Sequence, residues 1–539
     1  FLIQDKNKLN FNLNRLALIF VLIFILFILP FVKYFQLKGQ EERILKEGIS
    51  RVYTEKEFTT PRRKILDRNS IELATDIRRD TFIFSSNAAK EKILEFSKKN
   101  SIEIFLNANK RIWFQNPISS SFYNDSKEYC GCKIIREEKY RRYYPFGSVA
   151  STLLGFAGTE GGLEGVERVF NSRLLTKSEK RKLIKDARQR IVMGDINDFI
   201  DNEENSLTLT LDINLQYKLQ EELEKAVAMS ESNAGAAILL DSSNGDILAV
   251  ANFPTYNPND PEREITKNIA FNQFYEPGSL MKPVTIAGAI KYGHVNFETS
   301  IDTNPGRLVI PGKVITEAGG KNHGEISLTE VITLSSQVGT TKVGLQFDDR
   351  QILENLENFG FGKKFNNNFT DGSGKILIRE KYKPTEKAAI SYGYSVEVNT
   401  LQLARAYTVF ANGGEMVEPK MLLEKSVAKK QVITAENAKF ILDALRTVVT
   451  QGTARRMKNI DVEIVGKTGT TEKYIPGKGK GYTDGKYVSS FAAIFPYQNP
   501  KYVLAITFDE PDPNNYYGGT ISAPLVKSFV SYLKRTNYL

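Results

Sequence analysis

The sequence predicts an α+β protein in three parts: an N-terminal transmembrane helix, an α/β segment, and a larger C-terminal domain with helices packed on an antiparallel sheet. Three observations carry this. An uncharged apolar run, Leu16 to Val32, lies near the N-terminus. Near Asn205 charge-rich text gives way to strictly patterned text. Beyond that point strand-like runs gather at the two ends, with helical patterns between them. At 539 residues, 41% of them hydrophobic and 11% aromatic, the chain is too long for one core and divides into domains.

Leu16–Val32 spans about 25 Å as a helix, and Phe11 and Leu13 extend it if Arg15 snorkels to the interface. No small-residue cleavage site follows, since Phe31-Val32-Lys33-Tyr34 is bulky. The run is therefore read as an uncleaved anchor over residues 16–33, preceded by a tail at 1–15. Lys6, Lys8 and Arg15 precede it while Lys33, Lys38, Arg43 and Lys46 follow, so charge alone leaves the orientation open.

Residues 34–205 form the second part. They hold short apolar runs such as Thr81–Phe84 and a charged helical stretch, Ala88–Asn100. Thr60–Asn69 reads as a β-turn with charged flanks, and Gly162–Glu167 as a glycine-broken turn before a helix. Lys177–Arg190, dominated by charge, reads as a solvated helix face.

The third part runs from 206 to 539. Leu207–Leu211 alternates as a half-buried strand does, and Asp212 caps a helix from Ile213 to Met229. Ala234–Asn252 is a hairpin turning at Asn244-Gly245. Helical patterns follow Ser279, including Leu328–Gly344 and Thr400–Asn412. Strand-like runs at Glu463–Thr471, Val488–Phe495 and Tyr502–Phe508 and a helix at Pro524–Lys534 close the chain. Two strands at the start and three at the end imply one antiparallel sheet closed by both ends of the domain.

The chemistry centres on Glu276-Pro277-Gly278-Ser279-Leu280-Met281-Lys282-Pro283. A Pro-Gly turn feeding an apolar run places Ser279 and Lys282 on one face of a first helical turn. A lysine desolvated there has a lowered pKa and serves as a base for the serine. Ser335-Ser336-Gln337 ends an apolar helix, and Lys467-Thr468-Gly469-Thr470 lies in a strand where glycine admits a close neighbour. Together these make an acyl-transfer site. Ser279 attacks and Lys282 takes its proton. Ser335 relays a proton to the leaving amine, and Lys467 with Thr468 and Thr470 holds a substrate carboxylate. Backbone N–H groups of Ser279 and Thr470 form the oxyanion hole.

Composition narrows the alternatives. A net charge of +10 without zinc-finger or RNA-binding motifs argues against nucleic acid and for an anionic surface or wall. Two histidines, His294 and His323, argue against a Ser-His-Asp triad or a histidine metal site, so no metal is expected. Cys130 and Cys132, one glycine apart, read as ordinary thiols. The loop Glu472–Lys486, rich in Gly and Lys, reads as mobile rather than as a gate.

These motifs, 56 and 132 residues apart, resemble those of class B penicillin-binding proteins, for which Ser-x-x-Lys and Lys-Thr-Gly are signatures. Ile65–Asn69, Leu163–Glu167, Leu209–Asp212 with Leu215-Gln216, Ser490-Phe491 and Tyr517–Gly519 are similar to family text as well. The resemblance implies an elongated pedestal domain over residues 34–205. It also implies a penicillin-binding transpeptidase domain over 206–539, built on a five-stranded antiparallel sheet with helices on both faces.

The implied activity is a peptidoglycan D,D-transpeptidase that joins stem peptides through an acyl-enzyme on Ser279 and is acylated by β-lactams. No cofactor is implied. Orientation follows too, with the N-terminus in the cytoplasm and the catalytic domain outside the cytoplasmic membrane. Ser335–Gly339, Ser391–Tyr394 and Leu401–Tyr407 resemble the division-type, FtsI-like branch, whose partner is a polytopic glycan polymerase of the FtsW type. Two departures stand out. Gln337 replaces the family's usual Asn, and Arg62-Arg63 its usual Arg-Gly. An extra methylene moves the Gln337 amide by about 1.5 Å, at a cost of up to about 10²-fold. An elongation-type enzyme, a catalytically weak division scaffold and a β-lactam sensor or β-lactamase stand as alternatives.

Overall fold

The computed structural model describes residues 6–58, 60–114, 116, 118–158, 160–176, 179–185, 191–193, 206–260, 262–365, 372–424, 426–458, 462–474 and 482–539. The chain forms two compact units. One comprises Phe1–Pro61 with Thr176–Asp201, the other Arg62–Leu175 with Asn202–Leu539.

The first unit opens with a helix, Lys6–Gly39. Its stretch Asn14–Gly39, whose most apolar 18-residue window has mean hydropathy 2.9, is at about 39 Å long and apolar enough to cross a membrane. A second helix, Glu41–Val52, leads into the strand Tyr53–Phe58. That strand pairs antiparallel with Glu179–Lys185, setting Glu55 opposite Lys182 and Glu57 opposite Lys180. The charged run read as a helix face is thus a strand where it is described. Pairing with a neighbouring strand overrides the helical preference of its lysines.

The second unit contains the rest of the pedestal text and the C-terminal domain. Its pedestal part centres on the long strand Glu72–Phe84, paired with Ile134–Tyr143 and Arg111–Phe114 and covered by the helices Asn87–Lys99 and Ser120–Cys130. Phe82, Phe84, Ile93, Phe114 and Phe122 fill this small core.

Three sequence expectations change here. Cys130 and Cys132 form a disulfide rather than remaining thiols. Gly131 takes the left-handed conformation that ends the Ser120–Cys130 helix, at φ 60°, and the reversal brings the two Cα atoms to 5.1 Å, within bonding reach. Thr60–Asn69 is not merely a turn with charged flanks. Arg62 donates to Glu167 (2.6 Å) and Asn171 (2.8 Å), while Arg142 reaches Glu167 (2.6 Å) and Asp76 (3.2 Å). Asp67 accepts from the backbone N–H groups of Asn69, Ile71 and Ile213, so this text also fixes the start of the next domain. Finally, the Leu207–Leu211 strand is cut to Leu207–Thr208 and runs parallel to Ile65–Leu66 in the pedestal sheet. Its outward face disappears because the Thr210 hydroxyl turns inward to the carbonyls of Ile247 and Lys420.

The C-terminal domain is built on five antiparallel strands in the order Ile247–Phe253, Ala234–Asp241, Tyr502–Asp509, Tyr482–Phe495, Val465–Tyr474. Both ends of the domain meet in this sheet, because Ala234–Asp241 lies directly against Tyr502–Asp509. The hairpin turns with Gly245 at φ 75°, where a Cβ would strike the Glu418 carbonyl at 2.2 Å. Ile213–Met229, capped by Asp212 as expected, packs against Gly518–Arg535 on one face, and Thr400–Ala411 covers the other. The last helix begins six residues earlier than its proline suggests. Gly518 and Gly519 bring its first turn so close that Cβ atoms there would strike Ser490 and Thr453 carbonyls at 2.5 Å. That burial carries Pro524 within the helix despite its missing donor. The Val465–Tyr474 strand stands at the sheet edge with one side unpaired.

Candidate active site

Ser279 lies in a short 3-10 turn, Gly278–Met281, which runs into the helix Lys282–Lys291 with Pro283 in its first turn. Three close approaches fix this turn. Gly278 has φ 55°, and a Cβ on it would meet Thr471 Cγ2 at 2.4 Å. Gly393 passes so near that its Cβ would strike the Gly278 carbonyl at 2.1 Å. From the edge strand, Gly469 faces the Pro277 carbonyl, which its Cβ would meet at 2.9 Å. Glycine inside a strand thus does here what its position predicts, letting the strand press on the nucleophile turn. The Thr471 hydroxyl completes the contact by donating to the Glu276 carbonyl at 3.1 Å.

The middle motif sits at a break between two helices, Leu328–Thr333 and Gln337–Gly344. Ser335 adopts φ 59°, a left-handed conformation that costs a non-glycine residue about 1–3 kcal/mol. The consequence is positional, since its hydroxyl becomes the hub of the site. Ser335 Oγ donates to Ser279 Oγ at 3.0 Å, and Lys282 Nζ and Lys467 Nζ both reach Ser335 Oγ at 3.1 Å. Lys282 also donates to the Ser335 carbonyl, and Lys467 to the Thr468 carbonyl at 3.2 Å. The direct Ser279–Lys282 contact expected from the i, i+3 spacing is replaced by a path through Ser335.

Both lysines are buried, Lys282 at 1% exposure and Lys467 at 0%. Burial disfavours the ammonium form, so Lys282 is pushed down to about 7, with the negative charge of Glu317 opposing the fall. Lys467 is held well below its ordinary value by burial and then by the Lys282 charge. A buried lysine near neutrality can accept a proton from a hydroxyl and return it. His294, bonded to Gln351 at 2.7 Å, is engaged elsewhere.

The other predicted residues take different places. Alternation along the edge strand separates Lys467 and Gly469 from Thr468 and Thr470. Thr468 Oγ1 pairs with Thr453 at 2.7 Å, and Thr470 Oγ1 accepts from the Gly518 N–H at 3.3 Å. Gln337 opens its helix and donates its backbone N–H to Glu317 at 2.8 Å; its half-buried side chain makes no hydrogen bond among the described residues. The Glu472–Lys486 run, read as a mobile loop, is instead paired strand at 472–474 and 482–486, while residues 475–481 lie outside the described residues. Tyr482 beyond them donates to Glu276 at 3.0 Å.

Sequence reasoning gave no role to two carboxylates here. Glu317 is 3% exposed and accepts from the Ser336 hydroxyl and the Gln337 N–H. Glu276 accepts from the Ser395 N–H at 2.7 Å. Glu317 precedes the middle motif by eighteen residues in mixed polar text, and no spacing signal connects the two. No group of His, Cys, Asp and Glu able to hold a metal occurs among the described residues.

Comparison with known proteins agrees with this geometry. Residues 235–531, more than half of the chain, match the penicillin binding protein transpeptidase domain. The chain is 33% identical over 444 residues to peptidoglycan D,D-transpeptidase FtsI of Buchnera aphidicola, covering 79% of this chain and 75% of that one. It is also 33% identical over 395 residues to the probable peptidoglycan D,D-transpeptidase PbpC of Pseudomonas aeruginosa, with coverages of 72% and 69%. Among solved structures, the transpeptidase domain of Burkholderia pseudomallei penicillin-binding protein 3 aligns with TM-score 0.55 at 29% identity, over 61% of this chain and 96% of that one. Penicillin-binding protein 3 of Mycobacterium tuberculosis, complexed with ampicillin, shares the fold with TM-score 0.69 at 23% identity, over 89% and 96%. By the extent of the matched domain and the coverage of these relatives, the chain belongs to the penicillin-binding-protein transpeptidase family.

Proposed function

We propose that the chain is a membrane-anchored peptidoglycan D,D-transpeptidase of the division type. The observation that carries this is the convergence of Ser279, Lys282 and Lys467 on the Ser335 hydroxyl, with Lys282 brought to about 7. Ser279 Oγ attacks the carbonyl of the D-Ala-D-Ala bond in a donor stem peptide. Its proton passes to Ser335 Oγ as the Ser335 proton moves to the neutral Lys282 amine. Collapse of the tetrahedral intermediate breaks the C–N bond, and the Lys282 proton returns through Ser335 to the leaving D-alanine nitrogen. An acceptor amine then attacks the ester and gives its proton to Lys282, and Ser279 regains one through the same path.

The Ser279 and Thr470 N–H groups are assigned to the oxyanion, the first at the start of a helical turn and the second on the edge strand. An extended stem peptide adds alongside that unpaired edge. Thr468 and Thr470 are assigned to its carboxylate and Lys467 to holding Ser335. The unbonded Gln337 amide is assigned to the donor's backbone, where the family more often has Asn.

β-Lactams acylate the same serine in this reading. The division assignment rests on the FtsI relatives, and a polytopic glycan polymerase of the FtsW type is the partner. The apolar N-terminal helix anchors the chain in the cytoplasmic membrane with its N-terminus inside, and residues 34–205 are read as the pedestal of an extracytoplasmic transpeptidase domain over 206–539. Mass spectrometry after exposure to a fluorescent penicillin tests the chemistry. One adduct on the Ser279 peptide, lost in Ser279→Ala, is expected; an adduct elsewhere, or release within seconds as in a β-lactamase, would sink the reading.

A further inference from the structure

Glu317 is a buried carboxylate that the catalytic steps above do not use. It follows the hairpin formed by Arg307–Ile310 and Lys313–Thr316, and its own backbone is tied to Gly306 (3.0 Å) and Gly320 (3.0 Å). One carboxylate oxygen accepts from the Ser336 hydroxyl and the other from the Gln337 N–H at 2.8 Å. Ser336 Oγ in turn accepts from the Gly339 N–H at 2.8 Å, capping the helix that follows. These bonds grip the two residues immediately after Ser335, whose backbone is held at φ 59°. Without a clamp on the peptide that follows, a serine at this φ relaxes toward ordinary backbone and its hydroxyl leaves the hub.

Charge gives a second, independent reason. Glu317, from this segment, is the charge that acts on Lys282 and raises its proton affinity, and Lys282, from the nucleophile helix, is the charge that acts on Lys467 of the edge strand and lowers it. For Lys282, buried and losing its proton on that account, the Glu317 carboxylate is the opposing charge among the described residues.

We propose that Glu317 is a positioning residue of this active site: its carboxylate clamps Ser336 and Gln337 so that Ser335 stays between both lysines and Ser279, and it supplies the counter-charge for Lys282. The assignment rests on the acyl-transfer reading of the site. Among the described residues Glu317 hydrogen-bonds through its carboxylate to Ser336 and Gln337 and not to Ser279, Lys282, Ser335 or Lys467, so it acts through its neighbours.

The test is penicillin acylation of the full-length, detergent-solubilised protein, measured as a second-order rate against pH for Glu317→Gln, Glu317→Asp and Ser336→Ala. Glu317→Gln removes the charge and leaves one acceptor oxygen where the carboxylate had two, so that an NH2 faces the Ser336 hydroxyl when the oxygen takes the Gln337 N–H. Acylation is expected to fall by about ten- to a hundred-fold. Because the Glu317 charge raises the proton affinity of Lys282, its loss moves the acid limb of the profile to lower pH. Ser336→Ala weakens the clamp but keeps the charge, so the rate falls while the limb stays in place. Glu317→Asp keeps the charge and shortens the reach, giving the Ser336→Ala pattern; it carries the test should Glu317→Gln fail to fold.

Wild-type rates in Glu317→Asp and Ser336→Ala would overturn the clamp, and an unmoved acid limb in folded Glu317→Gln would overturn the counter-charge. Failure of the unaltered chain to form a Ser279 adduct would overturn the acyl-transfer reading itself, a result distinct from either.

Discussion

The pedestal and the active site both bury charge, and they treat it in opposite ways. In the pedestal, Arg62 and Arg142 meet Glu167 and Asp76, two cations against two carboxylates, at 2.6–3.2 Å. The cluster is neutral and densely bonded, and Arg142 is held above its already high ordinary value by Glu167 and Asp76 despite its burial. In the active site, two buried lysines share a single hydroxyl, and Glu317, the carboxylate whose charge acts on Lys282, is bonded to Ser336 and Gln337. Burial makes both lysines lose affinity for their protons, with Glu317 opposing the loss at Lys282 and the Lys282 charge adding to it at Lys467. Balanced burial fixes a protonation state and serves architecture. Unbalanced burial leaves a proton free to move and serves chemistry, at some cost in stability.

The sharpest way to break this contrast is Lys282→Met, which keeps the length of the side chain and removes the amine. Acylation is expected to fall by about 10²–10⁴-fold, the usual contribution of a general base, while the melting temperature holds or rises because an unbalanced buried charge is gone. A large loss of stability would show that Lys282 is structural.

The mirror experiment is Glu167→Ala in the pedestal. It takes the ion-pair partner from buried Arg62 and one of two from buried Arg142, and a loss of about 3–5 kcal/mol in denaturant unfolding is expected. The fraction that remains folded should acylate at close to the unaltered rate, since Glu167 bonds to no group of the active site. Equal losses of stability and of acylation in that fraction would erase the distinction between the two regions.

A gentler probe is pH. In the proposed mechanism acylation needs neutral Lys282, so its rate should rise through about pH 7 and fall by about ten-fold per unit below it. Stability carries the same signature. Between about 7 and the ordinary value of 10.5 the unfolded chain holds a proton that the folded chain does not, so stability rises with pH across that window. Lys467 adds a slope of the same sign. Lys282→Met should remove the acylation step near 7 and flatten the stability slope, whereas Glu167→Ala should change neither.

The same contrast explains what could be read from the sequence. Ser279, Lys282, Ser335 and Lys467 were legible because reactive residue types stand at short, helix-compatible or strand-compatible spacings. The five-stranded sheet was legible because its strands alternate or run apolar between clear turns. Glu317 and the Arg62–Glu167 cluster were not, because their partners lie nineteen to more than a hundred residues away and the text between them carries no period. The same holds at Leu207–Leu211 and at Gly518, where a threonine turned inward and two glycines pressed on a strand decided the outcome. Local patterns report which backbone forms; long-range polar contacts report which side chains it brings together.

The Cys130–Cys132 disulfide gives the smallest predicted effect and a third kind of tie. It closes a ring of only three residues at the end of the Ser120–Cys130 helix, so it removes little freedom from the unfolded chain. Replacing both cysteines by serine should cost about 1–2 kcal/mol, less than losing Glu167, because the aromatic core under that helix and the Tyr123 bond to the Ile134 carbonyl at 3.0 Å remain. Acylation should be unchanged. Reduction of the native protein with a thiol reagent should give the same small shift in melting, reversible on reoxidation. A shift as large as that of Glu167→Ala would mean that the bond, rather than the packed aromatics, holds this part of the pedestal together.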